Sequence, residues 1–383
     1  MRVAVPVLFF LATVAGAGPL TKHRAPPDRN KVWTAAGGTK AVRDAVDRAL
    51  DWLARHQTDE GFWDADRFGD ASGNETDGKG GGWHGEPVPC RFDREVTALA
   101  TLAFLGAGHT HLGHTRHAPT VRKALLYLKA DPSGRTTLWE VAYSAQALAE
   151  AFDMTGDKSL RAPVERAVGL LTATRHPRAG WRYFAGSRMA SGVPTSAAVV
   201  SALAAAERAG FKVKNRFKKH VLAWIDGLAD RKTGRVKYHV GSEKLGYTPT
   251  TTNAASLMLV RAWLAETKSA TFAAAAKAVL KRKPKWSIKF KTMKVKGVER
   301  RVQIGYLQHY YWWHASDAFS LSGHAGARAW YGALKSALLP KQRKDGWLAG
   351  SWDPVGTYGK VGGRVFSTAL CALALESPVR YAK

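Results

Sequence analysis

The sequence is poor in cysteine, in acidic residues and in long apolar runs. Only two of its 383 residues are cysteine, Cys90 and Cys371, which excludes a disulfide-built scaffold. We expect them to be separate buried thiols, with a disulfide between them as the alternative. Asp and Glu number 30 against 58 Lys and Arg, so the formal net charge at pH 7 is +28. Beyond the first residues, no apolar stretch approaches the roughly 20 residues that a membrane-spanning helix needs.

The amino-terminal segment has the pattern of a secretory signal peptide. Residues 1–17 combine a positive charge at Arg2, an apolar stretch and a small-residue cleavage site. A buried amino-terminal helix is the alternative. We therefore predict an exported protein, periplasmic or extracellular after cleavage, with a linker over 18–40 and a single domain over 41–383.

Two kinds of apolar helix alternate along the rest of the chain, six times in all. Apolar residues recur at i, i+3, i+4 and i+7, which favours helices over strands. The second helix of each pair is rich in Ala, Ser and Thr, as in 193–206, whereas the first is bulkier, as in 48–56. Small side chains permit close helix approach, and the last pair lacks the polar cap of an open solenoid. The sequence thus predicts an all-α (α/α)6 toroid, with the small-residue helices forming the inner ring.

Glycine and aromatic residues punctuate the connections from first to second helices. Segments such as 57–63, 177–187 and 342–352 pair Gly with Trp or Tyr. Gly permits the turn, and the simplest role for each Trp is to fill the gap between helix pairs.

One of these connections carries a recognisable motif. Residues 57–63 read Q-x-x-x-G-x-W, which resembles the QW repeat of squalene and oxidosqualene cyclases. Gln342, Gly346 and Trp347 give a looser second copy. With its helix pairs, the chain resembles the prenyltransferase/squalene-cyclase repeat superfamily over about residues 40–381, which implies an α/α toroid. It resembles in particular a group of exported bacterial proteins of unassigned activity.

The chain departs from the known chemistries of that superfamily. It lacks the Asp-x-Asp-Asp acid of class II cyclases and the reactive Cys-Gly-Glu-Gln of thioester rings. The zinc site of protein prenyltransferases needs Asp two residues before Cys, but Val88 and Ala369 stand there. We therefore expect no cofactor, and whether the chain is an enzyme stays open.

The ring is expected to open where the inner helices begin, because free N–H groups and positive helix dipoles collect there. Candidate acids and bases at these ends are Asp93, Glu95 and Glu140, with helix capping as the alternative. His314 and Asp317, at i and i+3, form a candidate proton-transfer pair. The candidates for lining a ligand cavity are Trp139, Trp181, Tyr183, Tyr310, Tyr311, Trp312, Trp313 and Arg364.

Two charged segments suggest partners. Residues 277–301 hold 11 Lys and Arg and one acid, and alternate basic with apolar residues, which is typical of a strand or extended insertion. Lys281, Arg282, Lys283 and Lys285 are its candidate contacts to an anionic glycan or membrane surface, with a solvated loop as the alternative. Nucleic acid is not an expected partner of an exported protein. Four histidines over 109–117 have a spacing that permits metal binding, but a solvated turn is simpler, so no metal site is predicted.

Three functional hypotheses remain at this point. The leading one is a ligand-binding toroid. The second is a cyclase or isomerase that acts on a lipophilic isoprenoid through a different acid. The third is a protein that binds or cleaves an acidic polysaccharide, because a basic cleft suits an acidic glycan. The oligomeric state is left open.

Overall fold

The computed structural model describes residues 28–35, 37–65, 92–131, 136–187, 190–213, 217–245, 248–287, 289–295, 298–304 and 308–382. The predicted signal peptide, residues 1–17, and Cys90 lie outside these residues. Along the described chain the elements are α1 (Asp28–Ala35), α2 (Lys40–Arg55), α3 (Asp93–Gly106), α4 (Ala118–Lys129), α5 (Leu138–Thr155), α6 (Arg161–Ala173), α7 (Val193–Arg208), α8 (Phe217–Gly227), α9 (Thr251–Trp263), α10 (Ala270–Leu280), β1 (Lys289–Val295), β2 (Val298–Ile304), α11 (His309–Ser322), α12 (Ala327–Leu338) and α13 (Gly356–Arg380).

The odd-numbered helices from α3 onward form a closed inner ring. Each of them contacts the next, and α13 contacts α3 to complete the circle. The even-numbered helices pack outside, and all of them except α8 pack mainly against the inner helix that precedes them in the ring. The predicted toroid, with its small-residue helices inside, is therefore confirmed.

The inner and outer helices differ in how much of their surface is buried, which matches their different side chains. On α7 every residue from Val193 to Ala206 is buried, because neighbours surround an inner helix on all sides. On α2 the buried residues include Val42, Ala45, Val46 and Ala49, which lie on one face. A single apolar face marks a helix with solvent on its other side.

Three tryptophans connect an outer helix to the inner helix of the same pair in the same way. In each, the indole N–H donates to a carbonyl near the end of the outer helix, and the backbone N–H donates to a hydroxyl on the inner helix. These connections are Leu53–Trp63–Thr97, Leu171–Trp181–Ser196 and Leu338–Trp352–Thr368, with indole bonds of 2.7, 2.6 and 2.9 Å. The structure thus places Trp181 between helices, away from the centre of the ring.

The glutamine of the QW-like motif extends this connection to the next outer helix. The Gln57 side chain donates to the Gly61 carbonyl at 2.9 Å and to the Thr120 carbonyl at 3.0 Å. Gln342 donates in the same way to Gly350 and, across the ring closure, to Ala45.

The predicted alignment of the second copy of the motif, with Trp347 opposite Trp63, is therefore wrong. The counterpart of Trp63 is Trp352, which is fully buried, and not Trp347, which is 55% exposed. The longer loop inserts a short 3-10 turn over Gly346–Leu348 before the chain returns to the helices.

Two further segments form regular structure outside the ring. Residues 28–35, inside the predicted linker, form α1, which packs on α13 and fully buries Trp33. The basic segment contains an antiparallel hairpin that pairs Lys289 with Ile304 and Val295 with Val298. Within the described residues, no helix is both long and apolar enough to cross a membrane.

Candidate functional site

The inner helices all begin at one end of the ring, which we call the mouth. Residues at the start of one inner helix contact those at the start of the next. Thr137 donates to Glu95 at 3.0 Å, and Trp139 donates to Thr195 at 2.9 Å. The connections from outer to inner helices therefore surround the mouth.

Aromatic side chains meet across the centre of the ring just inside the mouth. Trp139 and Tyr143 come from α5, and Tyr310, Trp313 and His314 come from α11, three pairs further along. Ring centroids lie 5.8 Å apart for Trp139–Tyr310, 5.9 Å for Tyr143–Trp313 and 4.0 Å for Tyr310–His314. We call these five residues the aromatic cluster.

The aromatic cluster fills the ring at this level. Tyr143, Tyr310 and Trp313 are 2–3% exposed, whereas Trp139 is half-buried and faces the mouth. Tyr183, also half-buried, lies beside the start of α5, because its carbonyl accepts from the Leu138 N–H at 2.9 Å. Burial, and next the charge of Glu95, raise the pKa of Tyr183 to about 12. Trp139 and Tyr183 are thus two half-buried aromatic residues near the mouth.

Glu95 is the predicted acid whose environment favours the protonated form. It is 5% exposed, and its Oε1 accepts from the Thr137 hydroxyl at 3.0 Å. Its Oε2 is buried and has no hydrogen-bond partner among the described residues. Burial, and next the charge of Glu140, raise the pKa of Glu95 well above its ordinary value. The neutral carboxyl group can donate a hydrogen bond or a proton.

The other two carboxylates at the mouth hold local structure. Glu140 accepts from the Thr137 backbone N–H at 2.5 Å while the Thr137 hydroxyl accepts from the Glu140 N–H at 3.1 Å, which forms a capping box on α5. Asp93 accepts from the Ala65 N–H at 2.9 Å and so fixes the entry to α3.

The predicted pair of His314 and Asp317 does not form. The Nδ1 of His314 lies 3.0 Å from the Ser256 hydroxyl, and burial lowers the pKa of His314 to about 3. Asp317, one turn further along α11, accepts instead from the hydroxyls of Ser377 and Tyr381. The two side chains point to different neighbouring helices, so the prediction that they form a proton-transfer pair is wrong.

Asp317 belongs to a buried polar group at the opposite end of the ring, which we call the Arg380 cluster. Arg380 donates to Glu150 at 2.6 Å and to the Leu102 carbonyl at 2.6 Å, and both charged side chains are almost fully buried. Gln146 donates to the other oxygen of Glu150 at 3.0 Å. Burial raises the pKa of Asp317 to about 7, against the opposing charge of Arg380. Sequence analysis missed this cluster, although charged residues inside apolar inner helices were a visible signal.

Three further candidates for cavity lining lie apart from the aromatic cluster. Tyr311 faces the outer helices, where its hydroxyl donates to the Arg282 carbonyl at 3.0 Å. Trp312 packs against Trp286, with ring centroids 6.3 Å apart. Arg364 forms an ion pair with Asp353 at 2.8 Å.

The basic and histidine-rich segments have different surroundings. Lys281, Lys283 and Lys285 are exposed, and Arg282 is half-buried. His111 forms a hydrogen bond of 2.9 Å with Asp157, and burial lowers the pKa of its imidazole. Across the described part of the chain, no three His, Cys, Asp or Glu side chains come together as a metal site would require.

Comparison with known proteins identifies the fold. No protein-family profile matches the sequence, and no curated protein matches it. An inactive variant of the α-1,6-mannanase GH76A of Salegentibacter sp. HEL1_6, in complex with α-1,6-mannotetrose, matches with a TM-score of 0.58 at 10% identity, over 89% of this chain and 99% of the mannanase. The apo type II terpene cyclase MstE from Scytonema matches with a TM-score of 0.54 at 15% identity, over 88% and 98%. The Lin0763 protein from Listeria innocua matches with a TM-score of 0.56 at 14% identity, over 89% and 97%.

These matches place the chain among the α/α toroids. The resemblance to the terpenoid-cyclase-like superfamily is confirmed at the level of the fold, which a type II terpene cyclase and glycoside hydrolases of family 76 share. Identities of 10–15% leave the chemistry to be argued from the side chains.

Proposed function

We propose that the protein is an exported toroid that binds its ligand over the mouth of the ring, against Trp139 and Tyr183. The observation that carries this proposal is the aromatic cluster, which fills the centre of the ring and leaves these two half-buried aromatic faces toward the mouth. A filled centre favours a ligand that lies across the ring over one enclosed within it. Aromatic faces bind isoprenoid chains and the apolar faces of sugar rings alike.

Fluorescence titration with a set of probes tests this proposal. Geranylgeraniol, mannotetraose and an oligogalacturonate represent the isoprenoid, neutral glycan and acidic glycan classes. At least one probe should change the tryptophan fluorescence saturably, and both W139A and Y183A should weaken its binding about tenfold or more. The matched control is W347A, which removes an exposed tryptophan from another mouth connection.

The opposite result would end this proposal. Binding that W347A weakens and W139A leaves unchanged would place the ligand elsewhere on the protein. Circular dichroism of each variant separates lost contacts from lost structure.

A second function, proton transfer to the bound ligand, is favoured by Glu95. Its unpartnered Oε2 and raised pKa make it the acid that the mouth offers, while Asp93 and Glu140 serve local structure. The mannanase variant of known structure is inactive with two adjacent aspartates replaced, and the present chain has no two consecutive aspartates. Product formation from a bound probe that survives in E95Q would exclude Glu95 as the acid.

A further inference from the structure

The charges around the mouth are strongly polarised. The third, fourth and fifth helix pairs are neighbours in the ring. Outside the β1–β2 hairpin, the described residues of their mouth connections, within 174–192, 228–250 and 281–287, contain 12 Lys and Arg and 2 acids. The described residues of the other three mouth connections, within 56–65, 130–137 and 339–355, contain 3 Lys and Arg and 6 acids. We call the first half the basic rim.

The acids within the basic rim already have partners. Glu243 forms an ion pair with Lys237, and Asp230 accepts from the Lys232 N–H at 2.8 Å and from the Thr233 hydroxyl at 2.8 Å. Arg235 and Arg282, from different connections, are close enough that the charge of Arg235 adds to burial in lowering the pKa of Arg282. A concentration of like charges on one side of the mouth favours the binding of an anion there.

Each connection of the basic rim also places an aromatic residue directly after a basic one. These pairs are Arg182–Tyr183, Lys237–Tyr238 and Lys285–Trp286, and all three aromatic residues are half-buried. The sequence thus places a basic residue next to an aromatic one three times along half of the rim, and of the three basic residues Lys237 also pairs with Glu243. A chain of sugar rings with a carboxylate on each ring has the complementary pattern.

We propose that the basic rim binds an extended polyuronate-type glycan, which runs along the rim toward Trp139. A flat anionic membrane fits less well, because it would also meet the acidic half of the mouth. This inference rests on the proposed function in taking the mouth as the binding face, and it names the class of ligand.

The test compares two sets of variants of the full chain by calorimetric titration with oligogalacturonate. The rim variant R235Q/K281Q/K283Q removes three exposed charges from the basic rim. The control variant K158Q/K212Q/K268Q removes three exposed charges from the opposite end of the ring. We expect the rim variant to bind at least about tenfold more weakly at low salt and the control to bind nearly as wild type does, with the difference shrinking as salt screens the charges.

Methyl-esterified oligogalacturonate and vesicles with phosphatidylserine complete the design. Equal binding of the esterified and the acidic chain, equal losses in the two triple variants, vesicle binding without glycan binding, or no glycan binding at all would each overturn the inference. If the rim variant loses affinity while W139A does not, the basic rim stands and the proposed contact with the aromatic cluster fails.

Discussion

At the scale of single residues, Glu95 shows how the packing of the ring raises the pKa of a carboxyl group. The neighbouring inner helices exclude water from its side chain, and Thr137 supplies one hydrogen bond where a carboxylate would accept several. The negative charge of Glu140 adds to the penalty on ionisation. Glu95 is thus held in the form that can donate.

This environment predicts a pH-dependent stability that E95Q removes. In the unfolded chain Glu95 ionises near its ordinary pKa of 4.5, whereas in the folded chain it stays protonated to higher pH. Its contribution to stability therefore falls as the pH rises above about 4.5, by at most about 1.4 kcal/mol per pH unit. Urea unfolding between pH 5 and pH 8 should show E95Q gaining stability relative to wild type.

The variant T137S serves as a control for this measurement. It keeps the hydroxyl that donates to Glu95 and should retain the wild-type dependence on pH. A constant difference between E95Q and wild type across the range would contradict a raised pKa.

At the scale of elements, Gly350 lies within the connection from α12 to α13, where the ring closes onto α2. It has a φ of +102°, and a Cβ atom there would lie 2.2 Å from the Arg48 carbonyl on α2. Gly241 also has a positive φ, +78°, but has open space around it. G241A should therefore lose about 1–2 kcal/mol for backbone strain alone, and G350A about 1–3 kcal/mol more for the clash. Equal losses in chemical denaturation would show that α2 and the connection do not pack this closely.

The helices could be predicted from the sequence because their signals are local. The small-residue pattern of 193–206 identified an inner helix, and the one-sided pattern of 48–56 identified an outer one. The alignment of Trp347 with Trp63 failed because the length of a connection does not reveal which tryptophan returns to the helices. The pairing of His314 with Asp317 failed because helical spacing fixes where side chains start and not which neighbours they reach.

The aromatic cluster and the Arg380 cluster form only when the ring of helices closes, and no local sequence pattern predicts which residues then meet. The aromatic cluster joins α5 to α11, so its members are distant in sequence although several were candidates. The Arg380 cluster joins α13 to α5 and could be located only once the circle was complete.

At the scale of the whole molecule, the Arg380–Glu150 pair connects the last inner helix to the second. R380M leaves Glu150 buried without its cation and should lower the free energy of unfolding by about 3–5 kcal/mol. The double variant R380M/E150M removes both charges and should recover most of that loss, because well-packed apolar residues replace a buried ion pair at little cost. Denaturant unfolding of wild type, R380M, E150M and R380M/E150M completes the double-mutant cycle. A double variant as unstable as R380M would mean that the pair does not act as a unit.

Closure of the ring also has a consequence in time. The Gln342 side chain binds the Ala45 carbonyl, 297 residues earlier. A ribosome that adds about 5–20 residues per second needs roughly 15–60 s to cover that distance. During this interval the first helix pair lacks its neighbour on one side, and the apolar surface that α13 will cover stays exposed to solvent. The closed ring buries every inner helix. During synthesis, however, α2 and α3 keep apolar surface exposed for longer than any later pair, so we expect a chaperone to bind mainly at these two helices.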